Sequence, residues 1–144
     1  MKIVFLSQMG WEGKVPRDHP NMRTEFAQMC ALGADHYPLY DVDKISEEYD
    51  HVILLIPKTQ WDRDSLYNID IVKKARRVGK YVWFMQEGPN WIFQDLPIHQ
   101  QFWHYNVLME VDGILTENRS DIPYFRGLVG GDKPIWNIPS LMIT

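Results

Sequence analysis

The chain has 144 residues, 45% of them apolar and 24% charged, and its 19 acidic side chains outnumber 15 basic ones for a net charge of −4. That length holds one domain able to bury about two thirds of its unfolded surface, and the composition excludes a disordered or low-complexity chain. The negative balance excludes strong sequence-independent nucleic-acid binding, which needs a surplus of Lys and Arg facing the phosphates. No apolar run approaches the roughly 20 residues of a membrane span. Cys30 is the single cysteine, so neither a disulfide framework nor a cysteine metal site is expected, in keeping with a reducing, cytoplasmic setting.

Residues 2–7 are an apolar, β-rich run, too short and without the small-residue cleavage site of a signal peptide, and are read as a first strand. A long polar loop follows. From Met22 the apolar residues Met22, Phe26, Met29 and Cys30 fall on one helical face, with Asn21 as N-cap and Gly33 as the stop. Residues 34–40 form a weaker strand carrying His36, and residues 51–56 are nearly all apolar, as in a strand covered on both faces. Asp62 or Asp64 caps the next helix, whose Leu66, Ile69, Val72 and Ala75 recur at helical spacing, while its Lys and Arg side chains suit water and the negative end of the helix dipole. Gly79 closes it. Residues 80–85 then read as a buried strand that stops at Gln86-Glu87-Gly88-Pro89. A third helix carries Phe102, Trp103, Asn106 and Met109 along one side, residues 113–116 are a short strand, Asn118 and Ser120 open a helical segment broken by Gly127, Gly130 and Gly131, and residues 134–138 are a last strand. Strands alternating with helices throughout predict an α/β, Rossmann-like three-layer domain with a mainly parallel sheet of five or six strands, the runs 2–7, 51–56 and 80–85 at its centre.

In such a sheet ligands bind at the carboxyl ends of the strands, which makes Glu87 a candidate acid–base group and the following Trp91 and Phe93 candidate walls. The same stretch also fits a Gly-Pro turn with aromatics packed in a loop. Gly10-Trp11-Glu12-Gly13 after the first strand lacks the Gly-x-Gly-x-x-Gly spacing that runs directly into a dinucleotide-binding helix. It reads as a flexible substrate loop whose glycines let backbone approach a ligand, with Lys14, Arg17, His19 and Arg23 around it as a phosphate-receiving cluster or as ordinary solvated charges. No histidine pair has metal-ligand spacing; His36 and His51 read as strand-end residues, and no metal or cofactor is expected. Asp95 is a possible partner for Glu87 in acid–base work, with an aromatic-lined pocket the equal alternative.

The start Lys2-Ile-Val-Phe-Leu-Ser with its Gly10 to Gly13 loop, the strand Tyr81-Val-Trp-Phe-Met-Gln-Glu, the run Asp112-Gly-Ile-Leu-Thr-Glu-Asn-Arg-Ser-Asp-Ile-Pro-Tyr-Phe and the close Lys133-Pro-Ile-Trp-Asn-Ile-Pro resemble the amino-terminal domain of a GT-B-fold glycosyltransferase. The phage DNA glucosyltransferases are the nearest subgroup. The resemblance implies an acceptor-binding domain for transfer of a sugar from a nucleotide-sugar to a hydroxyl on a small molecule, glycan or modified DNA. It makes Glu87 the base and Gly10, Trp11, Gly13, Arg17, His19, Trp91 and Asn118 the acceptor-binding residues, with Gly10, Glu87 and Asn118 converging in one pocket. The donor would belong to a second domain that these 144 residues lack, so the chain alone is expected to be inactive in transfer. A flavodoxin-like nucleotide- or phosphate-binding module and a non-catalytic interaction domain are the alternatives.

Overall fold

Seven strands form one sheet in the computed structural model, which describes residues 1–20, 25–56, 70–86 and 96–138. In chain order the elements are β1 (Ile3–Ser7), β2 (Gly13–Lys14), α1 (Glu25–Ala31), β3 (Asp35–Pro38), a 3-10 helix (Leu39–Lys44), β4 (Tyr49–Ile56), α2 (Ile71–Val78), β5 (Gly79–Gln86), α3 (Ile98–Glu110), β6 (Gly113–Thr116), a 3-10 turn (Arg119–Asp121), α4 (Ile122–Val129) and β7 (Ile135–Asn137). The spatial order is β2-β3-β1-β4-β5-β6-β7, with β2 antiparallel to β3 and every other pair parallel. The three strands expected at the centre, β1, β4 and β5, are there. The strand beyond the expected number is β2, two residues with no apolar pattern to announce them.

Period-two alternation sends the two faces of each central strand into two cores. Val4, Leu6, Val52, Leu54, Val82, Phe84 and Ile114 meet α2, α3 and α4 on one side. Phe5, Ile53, Leu55, Met85 and Leu115 meet α1 on the other. This is the three-layer α/β/α arrangement expected of strands with no polar face. Each fully buried Leu or Phe contributes roughly 2 kcal/mol, whereas the exposed pairs Lys2–Glu47 and Lys74–Asp43 contribute about 0–1 kcal/mol each. The sheet, not surface charge, holds the fold.

Helix ends follow local chemistry. Asp70 caps α2 by accepting from the Lys73 amide; Asp62 and Asp64 lie outside the described residues, as do Asn21, Met22, Leu66 and Ile69. Gly127 does not interrupt α4, which ends at Gly130, where φ is +85°. α3 buries Gln100, His104, Val107 and Leu108. Phe102 and Met109 point to solvent, because the helix packs with the adjacent set of positions inward. Lys133 Nζ donates to the Leu108 and Met109 carbonyls at the carboxyl end of α3 at 2.5 and 2.8 Å, and Arg76 donates to the Glu110 carbonyl and to Asp112. Two cations thus meet the negative end of the helix dipole. Burial lowers the Lys133 pKa against the raising effect of Asp112. Burial alone would raise that of Asp112, but the hydrogen bonds from Arg76 and the Val82 amide outweigh it and hold the carboxylate below its usual value.

Gly113 has no room for a side chain. A Cβ there would stand 2.3 Å from Trp83 Cζ3, and the indole is held in place by its Nε1 donating to His51 Nδ1 at 3.0 Å and by the Trp136 ring at 5.1 Å. Gly113→Ala is therefore expected to expel Trp83 and destabilise the fold by about 1–3 kcal/mol. Urea unfolding followed by tryptophan fluorescence measures this; a change within about 0.5 kcal/mol, the range of an ordinary surface substitution, would contradict it.

Candidate functional site

The chain leaves β1 toward β3 on one side and crosses back to β4 on the other, so the connections diverge between β1 and β4. Ligand crevices of open α/β sheets form outside the carboxyl ends of strands at such a point, because loops departing in opposite directions leave a gap above the sheet. In this topology that point falls between Ser7, at the end of β1, and Ile56, at the end of β4.

The loop on the β1 side is anchored by a buried polar relay. Ser7 and His36 are almost fully buried. Ser7 Oγ lies 2.6 Å from His36 Nε2, and His36 Nδ1 lies 2.6 Å from the Trp11 carbonyl oxygen. A carbonyl only accepts, so Nδ1 carries the proton and donates it there. Nε2 is then the acceptor for the Ser7 hydroxyl. Ser7 Oγ in turn accepts from the Met9 amide at 3.2 Å. Burial lowers the His36 pKa, only partly offset by the bond to Trp11, so the ring is neutral in this role.

The expected glycine loop is therefore not free. Gly13, at φ +91°, turns the chain so that Gly13 pairs with His36 and Lys14 with Asp35, and Trp11 Nε1 donates to the Lys14 carbonyl at 3.1 Å. The Trp11 ring meets His19 edge-on at 5.0 Å, and His19 packs on Phe26 at 4.4 Å. His19 is thus part of an aromatic stack that closes the loop onto α1. Gly10 and Arg17 are exposed. His36 is an interior residue of β3, not a strand-end one, and His51 is the third residue of β4.

On the β6 side, Thr116 Oγ1 accepts from the Asn118 amide at 3.1 Å, and Asn118 Oδ1 accepts from Ser120 N at 3.3 Å and Ser120 Oγ at 2.7 Å. Asn118 is exposed at the same sheet edge as Gly10, but β4 and β5 lie between their strands, a lateral separation of about 14 Å. A hydrogen bond from Gln28 Nε2 of α1 to Glu117 at 3.4 Å spans this interval. Glu87, Trp91, Phe93, Asp95 and Arg23 lie outside the described residues; β5 ends at Gln86, opposite Ile56 of β4. Ser7, Gln28 and Glu117 were not singled out from the sequence, and His36 was read only as a strand-end residue. The signal for Ser7 was a lone polar residue in an otherwise apolar strand, whereas β3, Asp35-His36-Tyr37-Pro38, carries no such signal for His36.

Among the described residues no three His, Cys, Asp or Glu side chains gather to hold a metal ion, and no helix is long and apolar enough to cross a membrane. No family model, curated protein or solved structure matches this chain. The carboxyl edge carries a pinned aromatic loop on one flank and an Asn–Ser–Thr hydrogen-bonded turn on the other.

Proposed function

We propose that the chain is the acceptor-side domain of a GT-B-type glycosyltransferase and receives a hydroxyl-bearing acceptor at the carboxyl edge of its sheet. The observation that carries this reading is the divergence of the chain between β1 and β4, which supports a ligand site at the sheet edge shared by the Trp11 loop and the ends of β4 and β5. Glu87 follows Gln86, the last residue of β5, and is assigned the role of general base. It takes the proton of the acceptor hydroxyl as the oxygen attacks the anomeric carbon, while the bond from that carbon to the nucleotide's phosphate oxygen breaks and the nucleotide leaves. Trp11 and Trp91 are assigned to apolar contact with the acceptor, Gly10 and Gly13 to close backbone approach, and Arg17, His19 and Asn118 to its polar groups. The nucleotide-sugar is assigned to a second domain, as in the resembled family.

Saturation-transfer NMR on the 144-residue chain tests the reading without any need for turnover. A panel of glycans, small polyols and oligonucleotides with hydroxymethylated bases is expected to include at least one saturable, weak ligand. Nucleoside diphosphates alone are expected not to bind. Tight nucleotide binding with no hydroxyl acceptor bound would overturn the assignment in favour of a nucleotide-holding module.

A further inference from the structure

Gln28 of α1 is 4% exposed, buried among Phe26, Ala27 and Met29, where an amide is costly unless it is bonded. Its Nε2 donates to Glu117 Oε1 at 3.4 Å. Glu117 follows Thr116, the last residue of β6, and is half-buried. α1 packs on the sheet face that carries Phe5, Ile53 and Leu55, in the layer opposite α2, α3 and α4, and β4 and β5 lie between β1 and β6. The contact between Gln28 and Glu117 therefore runs along the carboxyl ends of β4 and β5, where the acceptor is assigned. A tie between α1 and β6 needs no charge, and a half-buried carboxylate gives up solvation to be there.

We infer that Glu117, oriented by Gln28, selects the acceptor: it accepts hydrogen bonds from adjacent hydroxyls of an uncharged sugar and turns away phosphorylated acceptors, DNA among them. This names the substrate class of the proposed acceptor site and rests on that reading. An ionised carboxylate only accepts, with about four lone-pair sites on its two oxygens; the Gln28 amide takes one, and the two hydroxyls of a vicinal diol can each donate to an oxygen. Charge decides against a phosphate. Held about 6 Å from Glu117, it meets a like charge that lowers affinity by about 3-fold in water and about 100-fold at the effective dielectric of a protein surface. Among the described residues the cations of this edge stand apart from it. Lys14 is on β2, the outermost strand, about 14 Å from β4 with β3 and β1 between. Arg17 follows in the next loop, and Arg119 lies in the turn that leads into α4, in the other layer. The net charge of −4 acts in the same direction at longer range.

Amide-shift titrations of the full chain with the methyl glycosides of glucose, galactose and mannose, and with their 6-phosphates, test this. At least one glycoside is expected to move the Glu117 and Asn118 amides, and its 6-phosphate to bind at least ~5-fold more weakly. Glu117→Gln keeps the shape and removes the charge; it is expected to weaken the glycoside at least ~5-fold and to bring the two ligands within ~2-fold of each other. Gln28→Met removes the orienting amide and is expected to weaken the glycoside at least ~3-fold while the phosphate stays the poorer ligand, a split that a merely structural role would not give. Each variant's own amide spectrum shows that it is folded. A glycoside at the carboxyl edge whose 6-phosphate binds equally well, or whose affinity Glu117→Gln leaves unchanged, overturns the role of Glu117 and leaves the acceptor reading standing; unchanged affinity in Gln28→Met overturns the role of Gln28. Glycosides that move no carboxyl-edge amide, or only Phe102, Tyr124 and Leu128, which wall a cavity of about 330 Å³ between α3 and α4, overturn both the inference and the acceptor reading.

Discussion

His36→Leu is expected to lower folding stability at pH 7.5 by about 2–4 kcal/mol, since it leaves the Trp11 carbonyl without its donor and the buried Ser7 hydroxyl without its acceptor. Urea unfolding measures the loss. The neutral ring adds a pH signature of known sign. Unfolded, the imidazole takes its proton near 6.5; folded, it does so only at lower pH. The unfolded chain thus binds more protons between those values, and the stability is present above pH 6.5 and lost as pH falls through the folded value. The wild type is expected to lose stability across that window and the leucine variant to lose less there. Equal slopes, or a stability change below about 0.5 kcal/mol at pH 7.5, would show that the relay does not anchor the Trp11 loop.

Under the proposed function, the largest effect on activity is expected from Glu87→Gln in a chain that carries both an acceptor and a donor domain. Removing a general base lowers turnover by about 10²–10⁴-fold. Acceptor KM is expected to stay nearly constant, because the carboxylate acts on a proton that moves only as the new bond forms. Steady-state kinetics with the acceptor varied separates the two parameters. Unchanged kcat would remove Glu87 from the mechanism, and a raised KM at constant kcat would make it a binding residue.

The layout of this fold was legible because its strands are nearly all apolar. The runs at β1, β4 and β5 have no polar face, so they had to be interior and parallel, and Gly33 and Gly79 mark the helix ends nearest them. The outer parts were less legible. β2 has only a glycine and a lysine, and it pairs because Gly13 accepts a positive φ and His36 grips the Trp11 carbonyl, a contact between residues 25 apart that no local pattern announces. α3 misled for a different reason. It is apolar on two faces, so periodicity could not choose which one meets the sheet, and of the side carrying Phe102, Trp103, Asn106 and Met109 only Trp103 is partly buried. For the candidate site, the sequence put Gly10 and Asn118 at one edge of the sheet, since loops after parallel strands all leave from it. It could not give the lateral distance between Gly10 and Asn118, which depends on strand order.

Amide chemical-shift mapping of an acceptor onto the ¹⁵N-labelled chain tests the central claim most directly, because β1 and β6 ends, the α3–α4 cavity and the amino edge of the sheet give separate signals. Binding at the carboxyl edge predicts shifts in residues 7–11 and 116–118, with Lys2, Gly79 and Lys80 at the amino edge unmoved. Shifts confined to the amino edge, or to Phe102, Tyr124 and Leu128, would contradict an acceptor site above β1 and β4.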